Sequence, residues 1–270
     1  MSTVTVIHCW SAPRSRSTAL LYAFEARNDC IGIDEPLYRE YLISKGKSVT
    51  RPYLQALISG IPPEDTPPEE EYKWKRELLS LTERIAEAAK KLKEGVIFCK
   101  HIAKQSGSYD FANECVEVDG INIIHRHLML IRDPVDVLLA WGKVGGVHGN
   151  NATVDEVGVV PMLDLYSKLE SRNDNNSLPV VLESDELAIN PEEALSTVCS
   201  NLNISYTESM LSWPSGPHST YLCLDFASNC NRRHFSLKRF FTFRVRWTMG
   251  KVVVPQRVEI RGVVSRLSFD

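Results

Sequence analysis

The stretch Val4-Thr-Val-Ile-His-Cys-Trp-Ser-Ala-Pro-Arg-Ser-Arg-Ser-Thr-Ala-Leu20 joins an apolar run to a short polar loop and then to a helical pattern. The run from Val4 to Cys9 predicts a buried strand, and the pattern from Thr18 to Ala26 predicts a helix with one apolar face. A loop rich in hydroxyls and cations at this junction predicts an anion site, because free backbone N–H groups and the helix dipole face the ligand. It is not a Walker A loop, since it lacks the Gly-Lys pair and has no glycine before Gly32.

The remainder of the chain repeats the strand-then-helix alternation. Short apolar runs occur at Val4 to Cys9, Cys30 to Ile33, Val96 to Cys99, Leu128 to Ile131 and Val180 to Leu182. This pattern predicts an α/β fold of three layers, with a parallel sheet of about five strands between helices. The clearest amphipathic stripe, from Trp74 through Leu78, Leu81, Ile85 and Ala88 to Leu92, predicts a helix packed on the core.

Charge is unevenly distributed along the 270 residues. The net charge of −3 argues against a general attraction to nucleic acid or to anionic membranes. Residues 215–270, however, carry 10 basic and 3 acidic side chains (+7), whereas residues 1–214 carry 21 basic and 31 acidic ones (−10). The sequence therefore predicts a domain over residues 1–217 and a basic C-terminal tail over residues 218–270. Arginines interleaved with aromatic residues in the tail suit single-stranded nucleic acid, by stacking and charge, or contacts to a phosphate. The favoured alternative is a segment without such a role, from a divergent strand pair, an altered reading frame or a retained intron.

Cysteine usage and hydropathy indicate the compartment. The chain has 7 cysteines, an odd number, and no Cys-x-x-Cys pair, which favours reduced thiols over a disulfide framework. No basic segment opens the chain, and no apolar stretch approaches the ~20 residues that span a bilayer. We therefore expect a cytoplasmic protein with no membrane partner, and the oligomeric state stays open.

Three segments carry a family resemblance. Pro13-Arg-Ser-Arg-Ser-Thr18 resembles the first loop of the sulfotransferase branch of the P-loop fold, Pro-Lys/Arg-Ser-Gly-(Ser/Thr)-Thr. That loop holds the 5′-phosphosulfate of the donor PAPS (3′-phosphoadenosine 5′-phosphosulfate). His127-Leu-Met-Leu-Ile-Arg-Asp-Pro134 resembles the segment whose arginine binds the 3′-phosphate, and Val180-Val-Leu-Glu-Ser-Asp-Glu-Leu187 resembles the following strand and helix. The resemblance implies that the donor is bound by Arg14, Ser15, Arg16, Ser17, Thr18 and Arg132.

The sequence departs from the family pattern at Arg16, at Ala140 and in lacking the Arg-Lys-Gly that cytosolic members have near their C-terminus. Arg16 stands where most members have glycine, so either the backbone is strained at positive φ or it is relaxed and Arg16 adds a second cation. Ala140 stands where the family has a serine on the 3′-phosphate. These departures keep open a second reading, a degenerate P-loop module that binds or regulates without catalysis. A nucleotide kinase is disfavoured because the Gly-Lys pair is absent.

The resemblance also implies a reaction, the transfer of a sulfuryl group from PAPS to a small-molecule hydroxyl acceptor without a metal. Arg14 would stabilise the charge on the transferring group. A general base is expected just past a parallel strand, and the candidates are Glu35, which is slightly favoured, and His101. The alternate histidines in His125-Arg-His127 suit a metal, but no third ligand lies near them in the sequence, so none is expected.

A second resemblance concerns plant proteins called branched-chain-aminotransferase-like. Pro13 to Leu20, Ile33 to Tyr38 and Met210 to Pro217 look like their N-terminal sulfotransferase-like domain, which precedes a pyridoxal-phosphate transaminase domain. The resemblance stops after Pro217. It therefore implies the sulfotransferase-like unit for this chain and says nothing of the acceptor.

Overall fold

The computed structural model describes residues 2–44, 57–61, 77–148, 157–172, 178–213 and 235–236. The strands are β1 Thr3–Ser11, β2 Cys30–Asp34, β3 Gly95–Ile102, β4 Glu117–Val118, β5 Ile121–Ile131, β6 Val180–Glu183, β7 Ser212–Trp213 and β8 Phe235–Ser236. The helices described over these ranges are α1 Ser17–Glu25, α2 Tyr38–Ser44, α3 Leu81–Leu92, α4 Pro134–His148, α5 Val159–Ser171, α6 Ser184–Ile189 and α7 Pro191–Asn201. Two 3-10 helices lie at Ala103–Ser108 and Glu208–Leu211.

The central sheet confirms the predicted α/β class. Its strands run in the order β2-β3-β1-β5-β4, and β6 also pairs with β5. Strands β2, β3, β1, β5 and β6 are parallel to one another, and each contains one of the predicted apolar runs. Parallel strands end at the same edge, so the loops that follow β1, β2, β3 and β5 are brought together there.

Helices cover both faces of the sheet, because side chains of successive strand residues point to opposite faces. Ile7 and Cys9 of β1 pack with α1 and α7 in one cluster. Val6 and Trp10 pack with α3 and α5 in the other. Cys9 and Cys99 are fully buried, as expected for free thiols within apolar runs. The three-layer arrangement is therefore as predicted.

Two local predictions were incomplete. The fourth strand is longer than Leu128 to Ile131, since β5 begins at Ile121 and forms an antiparallel hairpin with β4. Asp119 and Gly120 make this turn with φ of 49° and 79°, the backbone that an Asp-Gly hairpin requires. The Asp-Gly pair was visible in the sequence.

The predicted start of the amphipathic helix, at Trp74, is too early. Helix α3 starts at Leu81, because Ser80 accepts a hydrogen bond from the Glu83 amide while the Glu83 carboxylate accepts one from the Ser80 amide. This capping box ends the helix on its N-terminal side, so Leu78 lies before it, and Trp74 lies outside the described residues. The rest of the predicted stripe packs on the core as expected, at Leu81, Ile85, Ala88 and Leu92.

Much of the basic tail also falls outside the described residues. Within it the structure describes β8, which pairs antiparallel with β7. The boundary at residues 217 and 218 stays a prediction. Among the helices of the described ranges, none is both long and apolar enough to cross a membrane.

Candidate anion-binding and catalytic site

The loop between β1 and α1, residues 12–16, has a strained backbone. Arg14 and Arg16 adopt φ of 62° and 65°, the left-handed region that costs a non-glycine residue about 1–2 kcal/mol. The Ser15 hydroxyl donates to the Ala12 carbonyl at 2.6 Å and closes the turn. The sequence left open whether the Arg16 backbone is strained at positive φ or relaxed, and the structure shows the strained conformation.

The side chain of Arg16 ties this loop to the start of α6. Its guanidinium donates to Ser184 Oγ at 2.7 Å and to Asp185 Oδ1 at 2.5 Å. Arg16 is also the N-cap residue of α1 and makes no side-chain capping hydrogen bond. The amides of the first turn, at Ser17 and Thr18, therefore keep the anion-binding capacity of a helix N-terminus.

Arg132 reaches the same loop from the end of β5. Its Nη1 donates to the Arg14 carbonyl at 2.7 Å, whereas its Nε is buried without a hydrogen-bond partner. Burial, together with the nearby charge of Arg16, lowers the pKa of Arg132, yet a guanidinium remains protonated at neutral pH. The structure thus brings together two of the three segments that carried the resemblance, the loop after β1 and the end of β5. The third segment joins them because Arg16 contacts Asp185 at the start of α6.

The donor-binding candidates differ in exposure. Arg14 and Thr18 are exposed, whereas Ser15 and Ser17 are buried. Within the described part of the chain the Arg14 guanidinium makes no hydrogen bond or ion pair. Its cation is therefore directed to solvent beside the N-terminus of α1.

Glu35 lies just past β2 in a buried ion-pair cluster. Its carboxylate accepts hydrogen bonds from Lys100 Nζ at 3.0 Å and from Gln105 Nε2 at 3.1 Å. Lys100, only 4% exposed, also donates to Asp34 Oδ1 at 2.6 Å. The Glu35 amide donates to the Lys100 carbonyl at 2.8 Å, which fixes the residue at φ 41°. Sequence reasoning missed the roles of Lys100, Gln105 and Asp34, because Lys100 and the two carboxylates are 65 and 66 residues apart and meet only when β2 pairs with β3.

The cluster sets the protonation of its members. Burial raises the pKa of Glu35, but the Lys100 charge and the two hydrogen bonds outweigh it and hold that pKa below its usual value. Burial keeps the pKa of Asp34 above its usual value despite Lys100. Burial lowers the pKa of Lys100, and the two carboxylates more than reverse this, so the ammonium stays charged. Glu35 is therefore ionised at neutral pH, as a general base must be.

His101, the other candidate base, is fully buried. Its ring stacks on Trp10 with centroids 4.2 Å apart, and its Nε2 lies 3.1 Å from His8 Nδ1. Burial, together with the charges of His127 and Lys100, lowers the pKa of His101 to about 3. The imidazole is thus neutral and lies in the layer that packs against α3 and α5.

An apolar cavity of about 500 Å³ opens beside the loop. Arg132 and Ala12 form part of its wall, and Gly158, at φ 83°, brings the start of α5 against Ala12. The other lining residues are apolar or aromatic and include Met129, Ile131, Val137, Met162, Leu163 and Tyr166. No sequence motif pointed to this cavity, because its wall comes from the loop after β1 and from β5, α4, α5 and β6, which are separate along the chain.

Comparison with known proteins agrees with this geometry. A family model described as a sulfotransferase domain matches residues 5–70 and 89–236. The chain belongs to the sulfotransferase family. The resemblance inferred from the three sequence segments is therefore confirmed.

Curated relatives of this sulfotransferase domain come from Arabidopsis thaliana. Branched-chain-amino-acid aminotransferase-like protein 2 is 34% identical over 212 residues, which are 78% of this chain and 32% of that protein. Protein 1 of the same name is 31% identical over 217 residues, 80% of this chain and 33% of that protein. The chain thus spans about a third of the length of these relatives.

Solved structures agree on the fold. The sulfotransferase domain from the Synechococcus PCC 7002 olefin synthase gives a TM-score of 0.55 at 14% identity and covers 92% of this chain and 90% of its own. The sulfotransferase domain from the curacin biosynthetic pathway gives a TM-score of 0.50 at 15% identity, and the match covers 100% of this chain and 99% of that domain. At 14% and 15% identity the matches confirm the sulfotransferase-like fold, and the chemistry has to be inferred from the residues of the site.

Proposed function

We propose that this sulfotransferase domain transfers the sulfuryl group of PAPS to the hydroxyl of a small-molecule acceptor. The observation that carries the proposal is Arg132, which bonds the Arg14 carbonyl while its buried Nε has no partner. A buried donor without an acceptor is costly. A phosphate oxygen on Arg132 would relieve that cost.

The residues around the loop fit the two anionic ends of PAPS. The first-turn amides of α1 and the hydroxyls of Ser17 and Thr18 would hold the 5′-phosphosulfate. Arg132 would hold the 3′-phosphate, because a guanidinium makes paired, charge-assisted bonds with such oxygens. Arg16 contributes less net charge, since Asp185 balances it.

The transfer moves one sulfur atom between two oxygens. The acceptor oxygen attacks sulfur, the bond from sulfur to the 5′-phosphate oxygen breaks, and the acceptor proton passes to a base. Arg14, exposed and directed to solvent, would stabilise the negative charge that grows on the leaving phosphate oxygen. PAP (3′-phosphoadenosine 5′-phosphate) then leaves.

Glu35 is the better placed base of the two candidates. Its side chain is 24% exposed, whereas His101 is fully buried. Lys100 and Gln105 orient the Glu35 carboxylate and keep it ionised. Since β3 lies between β1 and β2, Glu35 stands about 10 Å from the axis of β1, room for an acceptor hydroxyl and the sulfuryl group.

The acceptor would enter through the apolar cavity. Its wall carries Arg132 and the loop residue Ala12 at one end and apolar side chains elsewhere. An acceptor with an apolar body would be desolvated there while its hydroxyl faces the loop.

Binding of PAP by calorimetry tests the donor site. Arg132→Ala should weaken binding by about 1.5–3 kcal/mol, or roughly 10- to 100-fold, because charge-assisted hydrogen bonds are lost. Arg126→Ala is the matched control, since Arg126 lies on the same strand about 20 Å away. Equal weakening in both variants, or no binding by the wild type, would contradict the proposal.

A non-catalytic binding module is the second candidate. The pairing of Arg16 with Asp185, which reduces positive charge at the loop, favours it. Release of PAP from PAPS, measured with phenols and aliphatic alcohols as acceptors, separates the two functions. An enzyme should lose this release in Glu35→Gln while keeping its affinity for PAP. A binding module would bind PAP and release none above the Glu35→Gln background.

A further inference from the structure

A polar cluster lies on the face of the sheet that packs against α3 and α5, and the proposed transfer does not use it. His8 of β1 and His125 and His127 of β5 project there. Glu114 and Tyr109, from the segment between β3 and β4, cover them. His8 of this cluster lies on β1, a few residues before the anion-binding loop at residues 12–16.

Potential metal-ligand atoms of this cluster lie close together. His8 Nε2 lies 2.8 Å from His125 Nδ1 and 3.1 Å from the Tyr109 hydroxyl, which in turn lies 2.7 Å from Glu114 Oε1. The nitrogens of His8 and His125 and a Glu114 oxygen all lie within 4.8 Å of one another. Tetrahedral zinc needs ligand atoms about 3.4 Å apart. The two histidine nitrogens, at 2.8 Å, must therefore separate by roughly half an ångström.

The hydrogen bond of His125 to a backbone carbonyl determines which of its ring nitrogens is available. His125 Nε2 lies 2.8 Å from the Cys115 carbonyl, which can only accept, so His125 carries its proton on Nε2 and presents the Nδ1 lone pair. His8 Nδ1 faces His101 Nε2 at 3.1 Å and His8 Nε2 faces His125 Nδ1 at 2.8 Å, so these contacts allow either His8 tautomer. A metal on His8 Nε2 would select the tautomer with its proton on Nδ1.

Arg172 and His127 donate hydrogen bonds to Glu114, and the proton on His127 excludes that residue as a metal ligand. Arg172 donates to Glu114 Oε2 at 2.8 Å. His127 accepts from Trp10 Nε1 on its Nδ1, so its Nε2 carries a proton, which it donates to Glu114. Metal-binding histidines and carboxylates are oriented by partners of this kind, and the metal affinity depends on them.

We propose that His8, His125 and Glu114 form a zinc site, with the Tyr109 hydroxyl or a water at the fourth position. Two imidazoles and one carboxylate are a ligand set that suits Zn²⁺ and, as a spectroscopic substitute, Co²⁺. The ion would join β1, β5 and the segment that carries Glu114. His125 and Glu114 are not fully buried, the Glu114 side chain being 12% exposed, so this side of the cluster is the one nearer to solvent.

A second group, His8, Cys99 and His101, meets the same distance condition. All three residues are buried, and a metal there would need the Cys99 thiolate deep in the core. The half-buried group is therefore the better site. Cys99→Ser serves as the matched control, because it alters the neighbouring group and leaves the proposed ligands in place.

Metal binding by the untagged full-length chain tests the proposal. The chain is stripped with EDTA, titrated with Zn²⁺ or Co²⁺, and examined by elemental analysis and by the visible absorption of tetrahedral Co²⁺. We expect one ion per chain in the wild type and in Cys99→Ser, and none in Glu114→Gln or His125→Asn. Zn²⁺ at a hundredfold excess over its Kd should raise the thermal midpoint of the wild type by about 5–10 °C and leave His125→Asn unchanged.

Three results would overturn the site. The first is uptake of neither ion by the wild type. The second is retention of the metal by both ligand variants. The third is loss of the metal in Cys99→Ser, which would assign it to the other group. If Glu114→Gln does not fold by circular dichroism, His125→Asn decides alone, because His125 is half-buried and its loss leaves Glu114 paired with Arg172.

Discussion

Replacing Lys100 by methionine removes the single ammonium that the Asp34 and Glu35 carboxylates share, at 2.6 and 3.0 Å. Lys100 is 4% exposed, so water cannot take the place of its ammonium without rearrangement. Removing one partner of a buried ion pair costs about 3–5 kcal/mol, because a charge is left buried without compensation. We expect Lys100→Met to lose about that much free energy of unfolding at pH 7, measured by urea denaturation.

The pH dependence of the loss adds a second test. Without Lys100, burial raises the pKa values of both carboxyls above those of the unfolded chain, so the native state binds more protons than the unfolded state. Stability then falls as pH rises above about 4, and the loss in Lys100→Met should be smaller at pH 5 than at pH 8. In the wild type the pKa of Glu35 is lowered and that of Asp34 is raised, so their pH effects oppose each other.

Lys91→Met is the matched control for this experiment. Lys91 is exposed on the last turn of α3, and its replacement should change the free energy of unfolding by less than about 0.5 kcal/mol. A loss below about 1 kcal/mol in Lys100→Met, or a loss that does not shrink at pH 5, would refute the buried ion-pair cluster. The orientation proposed for Glu35 would fall with it.

Two further predictions concern the scaffold. Gly95→Ala should destabilise the fold by more than about 3 kcal/mol, because the new Cβ would lie 2.3 Å from the Asp29 carbonyl oxygen at a backbone φ of 129°; thermal unfolding measures this, and Gly107→Ala, with nothing within 4 Å, should change little. Ser80→Ala should cost about 1 kcal/mol by removing the capping box with Glu83, and an unchanged midpoint in urea would show that the box contributes nothing.

The layer architecture could be read from the sequence because it depends on local patterns. An apolar β-branched run such as Val4 to Cys9 must be buried on both faces, and helical stripes between such runs cover the sheet. The start of α3 was misplaced for a local reason too, since the capping box at Ser80 outweighed the apolar periodicity on its N-terminal side.

Some of the site residues, but not their pairings, could be predicted from the sequence. Arg132 was assigned through a resemblance, and the structure brings it to the Arg14 carbonyl. The pairing of Arg16 with Asp185 was not foreseen, because these residues meet only after β1 and β6 take their places in one sheet. The same holds for Lys100, whose charge is shared by carboxylates that end a neighbouring strand.

The sequence by itself determined the five parallel strands, the hydroxyl-rich loop at the end of β1 and the family. These follow from residues that are neighbours along the chain, where periodicity and helix-terminus chemistry act over a few positions. The tertiary structure decided the strained backbone of Arg16, the polarity of the cavity and the convergence of His8, His125 and Glu114. His8 and His125 are 117 residues apart in sequence. Only the parallel register of β1 with β5 brings His8 Nε2 to 2.8 Å from His125 Nδ1, because that register determines which side chains share a face.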